Sequence, residues 1–236
     1  MSIAFHPAGD CAVLVELEGE IGDALSMRLR GLEALVAETI PDVTETVPAF
    51  RTLLVYYDPL ATGYAALCAR IAALLPRAGG VALESRVVEL PCCYDDPELG
   101  FDLDQVARRV GLTRREVIAL HSGAEYLVYF IGFAPGQPYL TGMPESLSLP
   151  RLESPRTTTP PGSVAIGGTQ ACIYAVDSPG GFWVLGRTPV PIYDSKSETP
   201  TLLRAGDRLR FRAVDRGEYE RVAAAVAARE YRYVIA

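Results

Sequence analysis

The chain has 236 residues, enough for one large domain or two modest ones, and its 49% hydrophobic and 22% charged residues are ordinary globular composition. A net charge of −7 and a pI near 5.0 exclude the broad basic footprint of nucleic-acid or anionic-membrane binding, so an anionic ligand has to be met by local arginines. No run approaches the roughly 20 apolar residues of a membrane span, no signal-peptide pattern opens the chain, and five cysteines without a CxxC pair read as reduced thiols of a cytoplasmic protein.

Residues 11–17 alternate as a strand, and Ile21 to Val36 carries helical spacing through Leu25, Leu29, Leu32 and Val36. Strands at 43–47 and 52–57, a helix from Tyr64 to Leu75 and a strand from Arg86 to Leu90 complete a β-α-β-β-α-β order of split-βαβ kind. The last strand is free to pair with either half of the chain. We therefore expect a small α+β domain over residues 1–80 and a second domain over 81–236. The second opens with a helical hairpin insert: Asp102 with Gln105, and Thr113 with Glu116, fit capping boxes, and Gly111 sits where the first helix should stop. The stretch 106–121 has the outline of a helix-turn-helix, but the acidic chain makes a plain helical hairpin the better reading. Short strands at 126–131, 163–166, 171–176, 182–185, 208–214 and 230–235 predict a mainly-β, barrel-like domain, with a helix at 219–228 packed outside it.

The segment from Gly132 to Pro191 holds nine glycines, ten prolines and only six charged residues. Glycine permits positive φ and proline fixes φ, so mixing them among aromatics builds stiff loops with exposed backbone groups. Turns of an all-β domain explain part of this, but the polar tips within these loops suit a small ligand. Candidates are Gln137, Tyr139, Ser163, Gln170, Tyr174, Arg187 and Thr188, with Phe133 nearby at a strand end. Arg151, Arg156 and Arg187 are either anion clamps or structural partners of Glu145, Glu153 or Asp177. Gly167, Gly168, Gly180 and Gly181 are candidates to present backbone N–H groups to an oxyanion or phosphate. His121 is either a general acid or base or a histidine favoured by a helix C-terminus. With only two histidines and no HExxH or paired Cys/His spacing, no metal site is expected, and no P-loop, GxGxxG or GxSxG motif is present.

The blocks HSGAEYLVYFIGFAPGQPYLTGMPESL, PRLESPRTTTPPGSVAIGG, TQACIY and SPGGFWVLGRTP, with GDCAVLVELEGEI near the start and VPAFRTLLVYYDP before the domain junction, resemble the 5-oxoprolinase B-subunit family, also called KipI or allophanate hydrolase subunit 1. The resemblance implies a cyclophilin-like β-barrel behind a small α+β domain. It also implies ATP-dependent opening of 5-oxo-L-proline to L-glutamate in concert with paralogous C and further A subunits, ATP and its Mg2+ being bound by the complex. From residue types and loop positions, His121, Arg156 and Gln170 are the candidate catalytic residues, and Phe133, Gln137, Tyr139, Ser163, Tyr174, Arg187 and Thr188 the substrate-binding ones. Two other roles occur among similar proteins: inhibition of a histidine kinase, and carboxyl transfer in a biotin-dependent urea-type carboxylase. The chain departs from the family pattern at Gln137, where GFxPGF usually carries phenylalanine, and at Cys172 in TQACIY.

Overall fold

A computed structural model describes residues 2–82 and 84–235, and the chain divides into two compact units, Met1–Glu84 and Ser85–Ala236. In the first unit, strands β1 (Ile3–Pro7), β2 (Ala12–Leu17), β3 (Val43–Pro48) and β4 (Thr52–Tyr57) form an antiparallel sheet in the order β1-β2-β4-β3. The alternation seen in the sequence buries Val13, Val15 and Leu17 of β2 with Leu53 and Val55 of β4. Helices α1 (Asp23–Thr39) and α2 (Tyr64–Ala78) add Leu29, Leu32, Leu67 and Ile71 to that core. The β2-α1-β3 crossover around β4 is the split-βαβ layout, but its fourth strand is not the expected one. The slot beside β2 is filled by β1, at the start of the chain, and residues 86–90 go elsewhere. The reason is burial: Val88, Leu90, Pro91, Cys92 and Cys93 are buried, as a strand covered on both faces requires.

That strand, β5 (Val87–Cys93), belongs to a closed barrel in the second unit, as the short-strand pattern predicted. With β6 (Glu125–Ile131), β7 (Pro138–Thr141), β9 (Ser163–Gly167), β10 (Gln170–Ile173), β12 (Trp183–Arg187) and β13 (Arg208–Val214), it runs in the order β12-β9-β10-β7-β6-β13-β5. The Arg187–Cys93 pairing closes the ring. One neighbour pair, β13 with β5, is parallel. Arg86, just before β5, bonds Asp207, just before β13, and so fixes their register. Closure leaves few free edges, and the interior is filled by Val128, Leu140, Val164, Ile166, Ile173, Leu185 and Leu209. Outside it lie a two-stranded ribbon of β8 (Arg156–Thr159) and β11 (Ser178–Gly180), the short strand β14 (Val234–Ile235) on β5, and helix α5 (Arg216–Ala227). Of the strand expected over 230–235, only the β14 residues pair.

The hairpin of α3 (Leu103–Val110) and α4 (Arg114–Gly123) packs Leu103, Val106 and Val117 onto the barrel. Two of its arginines are engaged: Arg109 stacks on Trp183, and Arg114 pairs with Asp95 and Asp104, which breaks up the basic face that reading DNA would need. Thr113 and Glu116 form the predicted capping box, and Gly111 ends α3 at φ 71°. Asp102 makes no cap bond. Among the described residues no helix is long and apolar enough to cross a membrane.

In the first unit α1 and α2 approach closely at Gly31, where an added Cβ would lie 1.9 Å from the Ala78 carbonyl oxygen. Gly31→Ala gains helix propensity yet forces the two helices apart, and we expect a net loss of about 1–3 kcal/mol, read as a lower urea midpoint. An unchanged midpoint would mean that the helices slide past each other without cost.

Candidate functional site

The site is held by an ion pair, buried at its acid and half-buried at its base, that local sequence does not announce. Asp102 is 2% exposed; its Oδ1 accepts from Arg156 Nη2 at 2.6 Å and its Oδ2 accepts from the Val184 N–H at 2.7 Å. Burial raises the Asp102 carboxyl, opposed by the Val184 N–H and the Arg156 guanidinium. Arg156 in turn donates from Nη1 to the Phe182 carbonyl at 3.2 Å and lies 5.0 Å above the Phe101 ring. The pair thus ties the start of α3 to β8 and to the entry of β12. Arg156 is a brace and not an open clamp. It pairs with none of the acids expected of it.

Beside the brace is a cleft of about 100 Å3, lined by Phe133, Gln137, Tyr139, Arg151, Cys172, Tyr174, Pro179, Gly180, Gly181 and Phe182. Six of the predicted site residues meet here: Phe133, Gln137, Tyr139, Tyr174, Gly180 and Gly181. Close packing shapes the walls. A Cβ on Gly180 would sit 1.9 Å from the Tyr174 hydroxyl, and one on Gly167 would sit 2.9 Å from the Phe182 ring. Phe133, 67% exposed at the mouth, holds φ 70°, a backbone conformation that a bulky residue rarely adopts and that clusters at functional sites. Arg151 stacks 4.6 Å from the Phe182 ring and has no carboxylate partner among the described residues, which leaves its charge for a ligand. Burial pushes the Tyr174 hydroxyl up to about 12 and raises the Cys172 thiol against the pull of Arg151, so both stay protonated at neutral pH. Cys172 is therefore a packing atom of the wall and no nucleophile.

The other predicted residues do not line the cleft. His121 is fully buried among Tyr94, Tyr126 and Phe211, with Nδ1 2.9 Å from the Tyr94 hydroxyl. Burial lowers its pKa to about 3. Sealed in the core and neutral, it has no route to substrate, which corrects its reading as an acid or base. Gln170 stands opposite Gly167 at the start of β10. The Gly168 N–H is spent on the Leu149 carbonyl and so is not open to an anion, against the expectation for Gly168. Ser163, Arg187 and Thr188 lie at the far end of β12, where Ser163 and Arg187 face each other. Thr188 lines a separate groove of about 520 Å3 with Gly162, Val176, Val190, Tyr219 and Val226. Among the described residues no group of three or more His, Cys, Asp or Glu is placed to hold a metal ion.

A closed barrel whose Gly/Pro loops converge on a small polar-tipped cleft is the setting of a carboxyltransferase-type domain, and a family model described as "Carboxyltransferase domain, subdomain C and D" matches residues 3–203. The chain belongs to this family and, within it, to the B subunits of 5-oxoprolinases. It is 35% identical over 226 residues to the 5-oxoprolinase B subunit of Bacillus subtilis (strain 168), covering 89% of this chain and 92% of that protein. The crystal structure of TTHA0988 superposes with a TM-score of 0.75 at 37% identity over 86% of this chain, which spans 40% of that one. The structure of the K. lactis urea amidolyase superposes at 0.79 with 22% identity over 99% of this chain and 16% of that protein, a likeness of fold.

Two outcomes follow from the buried groups. Asp102→Ala strands Arg156 and the Val184 N–H, and we expect a loss of about 3–5 kcal/mol in urea unfolding, with Asp102→Leu/Arg156→Leu losing less than Asp102→Ala alone. If Asp102→Ala unfolds like the parent, the brace has no structural role. His121 titrates near 6.5 when unfolded and near 3 when folded, so between these values the unfolded chain binds the extra proton and stability falls as pH falls. From pH 7 to pH 5 this amounts to about 2 kcal/mol, which His121→Gln should remove from the pH dependence. Parallel pH profiles of parent and variant would contradict it.

Proposed function

We propose that this chain is the B subunit of an ATP-dependent 5-oxoprolinase, in which it holds 5-oxo-L-proline while the C and A partners complete the reaction to L-glutamate. The observation that carries this reading is Arg151, an unpaired guanidinium at the rim of a cleft sized for a small ring acid. Its fork suits the substrate carboxylate, and stacking on Phe182 fixes the plane in which it meets that group. Hydrolysis adds a water oxygen to the ring carbonyl and breaks the C–N bond, and the nitrogen leaves as the amine after gaining a proton. The chain's part is to bind, to orient the ring and to keep bulk water from it. The named kinship to 5-oxoprolinase B subunits supports the substrate.

The residues of the cleft do not fit a nucleotide. At about 100 Å3 it is well below the roughly 300–1,000 Å3 of sites for larger ligands, no phosphate-binding loop adjoins it, and its rim holds one arginine. No step through ATP is therefore assigned to this cleft, and nucleotide binding is left to the complex.

Reconstitution with the C and A subunits should give ATP-dependent loss of 5-oxo-L-proline, measured as glutamate released. Arg151→Ala should raise KM about tenfold to a hundredfold, the worth of one charge-assisted contact. Turnover by this chain alone would refute its reading as one part of a complex. Incorporation of labelled bicarbonate that depends on a biotinylated carrier would move the assignment to carboxyl transfer.

A further inference from the structure

The cleft contains one polar atom that the protein leaves without a partner. Gln137 is 2% exposed, lines the cleft, and its Oε1 makes no hydrogen bond. The Gln137 side chain also bonds the Tyr139 hydroxyl, and because Oε1 is without a partner that bond runs through Nε2. With Nε2 so used, the carbonyl oxygen is the unspent atom of a residue in the cleft wall. The backbone around it is tied down: the Gln137 N–H donates to the Ala134 carbonyl and the Gln137 carbonyl accepts from the Gly132 N–H. Tyr139 is stacked on Phe130, 4.6 Å between centroids and 10° between planes, so the partner that aims the amide is itself fixed. A buried carbonyl oxygen held without a donor loses the hydrogen bond it would make in water, a loss that a ligand N–H or O–H in the cleft recovers.

We infer that Gln137 Oε1 is the acceptor for a ligand N–H, and that with Arg151 it makes the cleft selective for small anions carrying an amide, lactam or urea N–H. The two groups divide recognition. Arg151 takes the negative charge at the rim, where water competes. Gln137 reads the N–H at a point closed to water, where replacement of N–H by oxygen sets two acceptors against each other. Sites that hydrogen-bond a substrate group reject analogues lacking it far more strongly than apolar pockets reject a change of shape. The inference rests on the proposed function only for the choice of 5-oxo-L-proline as the first probe. It predicts a property of the cleft that holds for a urea-type anion as well.

The test is calorimetric titration of the reconstituted complex with two pairs of probes. One pair is 5-oxo-L-proline and its lactone, 5-oxotetrahydrofuran-2-carboxylate, in which oxygen replaces N–H. The other is N-(dimethylcarbamoyl)glycine and the carbamate O-(dimethylcarbamoyl)glycolate, whose methylated terminal nitrogen leaves the compared N–H as the sole donor. The parent should bind at least one N–H member about tenfold to a hundredfold more tightly than its oxygen partner. Gln137→Leu should bring that ratio to near one while Arg151→Ala weakens both members equally, and Gln137→Glu, which keeps an acceptor, should retain selection for N–H. Circular dichroism and the urea midpoint identify any variant that fails to fold, in which case Gln137→Met takes the place of leucine. Preference for N-(dimethylcarbamoyl)glycine with a ratio that depends on Gln137 would sustain the inference and overturn the oxoprolinase reading. Turnover of 5-oxo-L-proline with a ratio unchanged in Gln137→Leu would sustain that reading and overturn the inference. If no N–H-bearing anion binds, the inference also falls.

Discussion

The architecture of the cleft depends on the carboxylate of Asp102. One oxygen fixes the Arg156 guanidinium and the other takes a backbone N–H of β12, so a single buried side chain joins three segments distant in sequence. Removing a carboxylate from water is expensive, and two oxygens each with a strong donor are what makes the burial tolerable. Arg156 passes the constraint on to the Phe182 carbonyl. Phe182 is both a wall of the cleft and the platform on which Arg151 stacks. The arginine of the cleft, Arg151, is therefore aimed, through an aromatic ring, by an arginine committed to Asp102.

Much of this was legible in the sequence, and the failures have physical causes. Alternation and helical spacing marked most strands and helices, and the Thr113 to Glu116 box is a local motif that local geometry satisfies. Asp102 has the same local signature, but a tertiary demand claims its carboxylate, and one chain segment read by itself cannot show that. Strand β1 escaped because its edge position leaves it half-buried, and its slot in the split-βαβ layout was given to a strand that follows α2 in sequence and pairs elsewhere.

The loops rich in glycine and proline do form the cleft, yet the residues proposed for it fall into two groups. Phe182 comes just before β12 and Arg187 ends it, and at a rise of about 3.3 Å per residue they lie roughly 16 Å apart, too far to share a small ligand. Composition can mark a segment as site-like without saying which end of a strand each side chain reaches. His121 shows the reverse error. A titratable residue next to loops looked chemical, while its aromatic neighbours, contributed by β6, β13 and the residue after β5, are invisible until the barrel closes around it.

The parallel pairing of β5 with β13 carries a consequence for how the polypeptide acquires its form. Their partner residues are 121 apart, from Arg208 opposite Val87 to Val214 opposite Cys93. During synthesis, strand β5 leaves the ribosome with its apolar side chains bared and waits for nearly half the chain before its parallel neighbour exists, whereas the sheet of the first unit draws only on strands within the first 57 residues. Pairings so remote in sequence are slow to form, and the exposed strand is a hazard in the interval. Nascent chains of this protein are thus at their most vulnerable to aggregation between emergence of the two strands, a window in which chaperone capture of the segment around Val88 to Cys93 is of greatest use.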